Sequence, residues 1–293
     1  MSVTWVVLSV AALAFVVLWA LSRYYIRIAG DPITLRSDLM PSGELRECDR
    51  MVPLCTGILR DYGWPLVKTH IVLDFGCGGG RHTYEFRDAG FRAFGFDQKN
   101  YVSLREESDI QYFMFPEQAD GCRIPRPDNT FDLIFSSSVL EHVTDHDAAF
   151  REMHRVLKPG GVSLHEFPSR WRLIEHHMYV PFGGRFQNYP YFLFWALMGI
   201  RNEFQTGKTW REVAELNWAF SRTGLCYLTK RQILSCARRH FERATFAEDI
   251  YLKHTRHAST VSRLVFIMTK ALPFMVHVYA GFHTRLLILE KPS

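Results

Sequence analysis

No charged side chain appears before Arg23 in this 293-residue chain. The apolar run from Val3 to Leu21 therefore has no basic leader, which a cleaved signal peptide needs, and the WALSRYY that closes it is a poor cleavage site. The six cysteines, at positions 48, 55, 77, 122, 226 and 236, form no CxxC pair. Neither a zinc ribbon nor a thioredoxin-like centre has support. Their even number leaves disulfides open, but Cys77 sits inside a glycine loop where a bridge would obstruct a ligand. Reduced thiols facing a cytosol-like compartment are expected. A formal net charge of +5 is small and dispersed, which argues against a nucleic-acid partner. There is no internal repeat and no low-complexity tract, so solenoids and wholesale disorder are excluded.

What is present at the N-terminus is a helix long enough to span a bilayer. At about 1.5 Å per residue, Val3 to Leu21 covers about 30 Å, the hydrocarbon thickness. Trp5 and Trp19 lie near its two ends and Arg23 and Arg27 follow it. Interfacial rings and a basic C-terminal flank predict a single-pass anchor over residues 1–28, with the rest of the chain on the cytoplasmic side. A buried core helix is the competing reading.

Residues 29–43, with Asp31-Pro32 and Pro41-Ser42-Gly43, read as a linker. A helix is expected from Glu44 to Tyr62. Strands at Ile71–Phe75, Ala93–Phe96, Phe131–Ser136 and Val162–Phe167 then alternate with helices at Arg81–Ala89 and Ala148–Leu157. The alternation implies an α/β fold with a doubly wound, mostly parallel seven-stranded sheet, over a core of residues 44–167. Pro159-Gly160-Gly161 reads as the turn from helix to strand. Residues 168–228 are aromatic-rich without a clean period and read as an inserted lid on the substrate side. Residues 229–293 resume the fold, with Thr229 capping a helix over Lys230–His240 and strands at Phe241–Ala247 and Leu286–Glu290.

The most informative stretch is VLDFGCGGG, Val72 to Gly80. A buried strand ends at Asp74, and the glycines after it remove side chains that would keep a ligand from the backbone. Asp97, at the end of the next strand, can accept both hydroxyls of a ribose. A nicotinamide-dependent oxidoreductase would use a similar loop, but its GxGxxG pattern needs glycine where this chain has Arg81. It would also lay a pyrophosphate on the helix N-terminus, where Asp74 is unwelcome. A ligand with a positive charge suits Asp74 better.

The loop, with FDLIFSSSVLEHV (Phe131–Val143) and LKPGG (Leu157–Gly161), resembles the class I S-adenosylmethionine-dependent methyltransferases, in particular their small-molecule type. The resemblance covers roughly residues 70–167 and implies a Rossmann-like fold and S-adenosylmethionine as cofactor, with S-adenosylhomocysteine as product. It implies that Gly76 and Gly78 approach the methionine part, Asp97 holds the ribose and Asp120 contacts the adenine amino group. Ser136 is placed close to the transferred methyl. At Asp120 the chain departs from the family, because Gly121-Cys122-Arg123-Ile124 intervenes before the proline.

An oxygen or nitrogen acceptor needs a base, for which His142, His165, Glu166 and His176 are the candidates, with His177 beside them. Adjacent His176-His177 cannot both face one ion with ordinary spacing, so no metal site is expected. Phe167–Phe186 carries aromatic rings with Arg170, Arg172 and Arg185, suited to a sugar, an apolar chain, a phosphate or a carboxylate. Tyr189–Ile200 and Val261–Phe282 are apolar and suit either core helices or a membrane surface. The reading is a membrane-anchored methyltransferase acting on a small molecule, lipid or lipid-linked sugar. The rivals are the oxidoreductase and a catalytically silent cofactor-binding membrane partner.

Overall fold

The computed structural model describes residues 3–29, 51–116 and 122–293. They divide into two compact units, one holding residues 3–29 and 169–227 and the other 51–116, 122–168 and 228–293.

The second unit is built on a seven-stranded sheet. Its strands are β1 (Ile71–Phe75), β2 (Arg92–Phe96), β3 (Phe113–Met114), β4 (Phe131–Ser137), β5 (Leu157–Pro168), β6 (Arg243–Phe246) and β7 (Thr284–Glu290). Their order is β3-β2-β1-β4-β5-β7-β6, with β7 antiparallel to both neighbours and the other pairs parallel. Successive side chains on a strand face opposite ways, and here both faces are covered. Leu73, Ile134, Leu287 and Leu289 join Phe150 and Ile233 in one core. Val72, Leu133, Phe135, Leu286 and Ile288 join Ile58 and Phe86 in another. That explains why these strands read as continuous apolar runs rather than as alternation.

The helices of this unit are α2 (Met51–Tyr62), α3 (Arg81–Asp88), α4 (His146–Val156), α7 (Lys230–Ala237), α8 (Glu248–Thr255), α9 (Thr260–Met268) and α10 (Met275–Phe282). Asp145 caps α4 by accepting from Ala148 N at 2.9 Å. Thr229 and Gln232 form a reciprocal capping box on α7. The expected helix from Glu44 begins outside the described residues.

One expectation is corrected. Pro159-Gly160-Gly161 is not a turn between elements, because α4 ends at Val156 and β5 already begins at Leu157. The register steps from Phe131–Leu157 to Leu133–Val162, so this stretch is a bulge inside the strand. Gly160 takes φ +73 there, and any Cβ on Gly161 would come 2.9 Å from Asp132 O. The C-terminal apolar stretch folds as two short helices, α9 and α10.

The first unit joins α1 (Val3–Ala29) to α5 (Tyr189–Leu197) and α6 (Trp210–Thr223). From Trp5 to Ala14 every residue of α1 is exposed. From Phe15 onward one helical stripe (Phe15, Leu18, Ser22, Tyr25 and Ile26) is covered, and its apolar members pack on a core containing Phe192, Trp195 and Val213. Among the described cysteines, Cys55, Cys77, Cys122, Cys226 and Cys236 are thiols.

Candidate functional site

Strand order reverses between β1 and β4, and in such sheets ligands bind outside the carboxyl ends of the strands at that point. The glycine loop lies there. Gly76 N and Cys77 N donate to Phe96 O at 2.7 and 3.0 Å, tying the loop to the end of β2. Gly76, Gly78 and Gly80 all have positive φ, which an L side chain resists. The three differ in what surrounds them. A Cβ on Gly76 would lie 2.4 Å from Val139 Cγ2, and one on Gly80 would lie 2.9 Å from the Phe113 ring. A Cβ on Gly78 would meet nothing within 4 Å. Gly76 and Gly80 are thus required by packing, whereas Gly78 borders open space.

Two carboxylates serve the loop. Asp97 is half-buried at the end of β2 and accepts from Gly78 N at 2.8 Å. Asp74 is buried and accepts from Thr83 Oγ1 at 2.9 Å. Burial raises its carboxyl to about 6, against the pull of His82 and the Thr83 bonds. The charge of Asp97 adds to the rise. Two carboxylates at the edge of open backbone favour a ligand bearing positive charge. S-adenosylmethionine, with its sulfonium and ammonium, fits these residues. Asp97 would hold the ribose, Gly78 would allow close approach, and Asp74 would act from beneath the loop. Asp120 lies outside the described residues.

Next to this loop, beginning at Arg81 and His82, is a cavity of about 310 Å³. Met51 and Leu54 of α2, Arg81 and His82 of α3, and Ser137 and Glu166 from the ends of β4 and β5 line it. Tyr251, Thr255, Ser262, Tyr279 and His283 close the far side. Glu85 anchors α2 here by accepting from the amides of Met51 and Val52 at 3.0 and 2.9 Å. Glu166 accepts a hydrogen bond from the Tyr251 hydroxyl. Burial, and then the charge of Glu166, hold that phenol well above its ordinary range. Ser262 and Tyr279 join their hydroxyls at 2.9 Å.

The four base candidates are thus in four different environments. Glu166 is half-buried and faces the cavity. His165, the preceding residue, points to the opposite face and is wholly buried. Its Nδ1 bonds Ser136 Oγ at 2.8 Å and its Nε2 bonds Ser163 Oγ at 2.7 Å. Burial lowers its pKa to about 3. It is a neutral ring pinned between strands, as is Ser136 with it, and neither lines the cavity. His142 is exposed in the turn after β4, with Nε2 3.9 Å from Glu141 Oε1. His176 belongs to the other unit, where its ring lies 5.2 Å from that of Tyr25. Also in that unit, the Arg185 guanidinium sits over Trp171 at 5.2 Å. Burial, and then the charge of Arg185, lower the pKa of Arg170.

His82, Tyr251, Tyr279 and His283 were not singled out from sequence. The last three lie in segments with no motif and reach the cavity only because β7 runs antiparallel into the sheet and brings α8–α10 behind it.

Residues 73–164 match the sequence profile of the family described as a methyltransferase domain. A ubiquinone/menaquinone biosynthesis C-methyltransferase of Pasteurella multocida is 32% identical over 139 residues, which is 43% of this chain and 47% of that protein. Phosphoethanolamine N-methyltransferase 3 of Arabidopsis thaliana is 38% identical over 97 residues, 32% of this chain and 20% of that protein. The chain thus spans half or less of the length of these relatives. Among solved structures, the phosphoethanolamine N-methyltransferase 2 of Haemonchus contortus, in complex with phosphomonomethylethanolamine and S-adenosylhomocysteine, covers 80% of this chain and 52% of its own. It does so at 18% identity and a TM-score of 0.45.

Proposed function

Residues 73–164 form a class I, S-adenosylmethionine-dependent methyltransferase domain, and from that premise we propose that the protein methylates a small-molecule, lipid or lipid-linked sugar acceptor beside a membrane. The observation that carries the reading is the pairing of an open glycine, Gly78, with Asp97 at the strand-order reversal, next to a cavity of about 310 Å³.

When bound, S-adenosylmethionine supplies an electrophilic methyl on a good leaving group. What remains for the protein is alignment, exclusion of water and removal of one proton. Asp97 and the Gly78 amide orient the nucleoside. Glu166 receives the proton of an acceptor O–H or N–H, and the Tyr251 hydroxyl holds that carboxylate in place. His165 and Ser136 fix the spacing of β4 and β5 beneath it. His142 and His176 are not needed in this scheme.

Two features support an acceptor that resides in lipid. α9 and α10, which supply Ser262 and Tyr279 to the cavity, expose Val261, Leu264, Ile267, Phe274 and Val278 on their outer side. No acidic residue occurs between Asp249 and Glu290, whereas Arg256, Arg263 and Lys270 fall in that interval. Apolar side chains mixed with cations alone suit an anionic bilayer surface. α1 is the anchor, being long and apolar enough to span, and Arg23 and Arg27 favour a cytoplasmic catalytic side.

The test is incubation of the full-length protein with S-adenosylmethionine and separate lipid and aqueous metabolite extracts, followed by mass spectrometry. The expected result is release of S-adenosylhomocysteine with one species heavier by a CH2 group in the lipid extract, both reduced in Asp97→Ala at limiting S-adenosylmethionine. Binding of S-adenosylhomocysteine with no methylated species in either extract would instead make the protein a silent cofactor binder.

A further inference from the structure

α5 has no polar face. Its buried residues Phe192, Trp195 and Ala196 pack inside the first unit. Its exposed residues are Pro190, Phe194, Leu197 and Met198 at its C-terminal end. A helix that is apolar all round is either enclosed by protein or set in lipid, and Phe194 and Leu197 are 44% and 52% exposed. Neighbouring α6 behaves differently. It buries Val213, Ala214, Asn217 and Ser221 and turns Arg211, Glu212, Glu215 and Arg222 outward.

α5 is held to α1 along the stretch that follows Ala14. The Phe15 ring stacks on Trp195 at 5.6 Å and lies 5.9 Å from Phe194. Trp19 Nε1 donates to Met198 O at 3.0 Å, and Arg23 Nη1 donates to Gly199 O at 3.2 Å. These two bonds satisfy carbonyls at the end of α5, where a low-dielectric surrounding would penalise them most if bare.

The depth follows from helix rise. The uncovered part of the apolar run, Trp5 to Ala14, rises only about 15 Å, half the hydrocarbon thickness of about 30 Å. A spanning α1 must therefore also bury the stretch from Phe15 toward Arg23 in the membrane. With Arg23 at the polar boundary, Phe15 lies about 12 Å deep, and α5 is bonded beside it. We infer that α5 is embedded with α1 in the adjoining leaflet, its Phe194, Leu197 and Met198 face against acyl chains, so that the chain enters the membrane as a helix pair rather than as one rod. The inference rests on α1 being the anchor.

The test uses full-length protein in phosphatidylcholine vesicles containing a phospholipid with a diazirine at the end of one acyl chain. After illumination, adducts are mapped by peptide mass spectrometry. The expected outcome is adducts both within residues 5–14 and within 189–198. Adducts within 5–14 and none in 189–198 would leave the anchor standing and overturn the embedded α5. Adducts in neither would remove the anchor and this inference together, and adducts in 189–198 alone would reject the pairing.

Discussion

Gly78 N donates to Asp97 Oδ2 at 2.8 Å, so the open corner of the glycine loop and the acid at the end of β2 are joined before any ligand arrives. The carboxylate thus shapes the loop, and in the proposed function it also holds the ribose. Asp97→Ala is expected to cost about 1.5–3 kcal/mol of S-adenosylhomocysteine affinity by losing a charged acceptor. Asp97→Asn, which keeps one acceptor for Gly78, should fall between. Isothermal titration calorimetry reads both, and unaltered affinity in the alanine variant would contradict the assignment.

The glycines separate packing from binding. Gly76→Ala drives a methyl into Val139 and should destabilise the fold by about 1–3 kcal/mol, in part recovered by adding Val139→Ala. Gly78→Ala meets no protein atom and should cost stability only through its φ of +50, about 1–2 kcal/mol, while weakening the cofactor more than Gly76→Ala does in the fraction that stays folded. Thermal melts and ligand titrations of the pair decide this. Equal ligand affinities would mean that Gly78 does not border the cofactor.

Asp74 carries a pH signature. Its carboxyl is raised from 3.8 to about 6 by burial. A raised carboxyl stabilises the fold fully below its ordinary value, and that contribution disappears as pH climbs through about 6. At neutral pH its ionised form therefore costs on the order of 3 kcal/mol. Asp74→Asn should melt higher than the parent at pH 7.5 without ligand, converge with it near pH 4, and bind S-adenosylhomocysteine less well. Parallel melting curves across that range would disprove the burial argument.

His165 acts in the opposite sense. Burial lowers it from 6.5 to about 3, so its contribution is present above 6.5 and is lost as pH falls through that interval. His165→Gln, which keeps a donor and an acceptor for Ser136 and Ser163, should flatten the acid limb of the melting curve. The pH dependence of kcat should be unaffected, because this ring does not reach the cavity. Loss of a rate-controlling ionisation near neutrality in this variant would restore it as the base.

Glu166 and Tyr251 can be told apart kinetically once an acceptor is in hand. Glu166→Gln should lower kcat by about 10²–10⁴, the range for a positioned base, with KM little changed. Tyr251→Phe removes the donor that holds this carboxylate in place, and so should lower kcat less than Glu166→Gln does. A base elsewhere would leave the Glu166→Gln profile intact.

Each sheet strand from β1 to β5 except β3 was legible because a parallel strand buried on both faces is a short, mostly apolar run between turn signals, as Val72–Phe75 and Leu133–Phe135 are. β3 was not, since Phe113–Met114 is two residues long and takes its shape from pairing with β2. α6 carried a sign that aromatic clutter obscured, the Thr209 to Glu212 capping box. α9 and α10 looked like one interrupted run because apolar periodicity alone does not mark where one short helix ends and the next begins.

At the site, the sequence by itself determined the loop and its acids, because backbone turns and strand ends are local matters of glycine and carboxylate placement. It also determined that residues 3–21 are apolar enough to cross a membrane. Only the tertiary structure turned Glu166 to the cavity and His165 away from it, neighbours in the chain that the two-residue period of a strand sends to opposite faces. It alone brought Tyr251, Tyr279 and His283 to the cavity and laid Phe15 and Trp19 along α5, since contacts between residues far apart in sequence follow from how elements pack and leave no mark on the segments that make them.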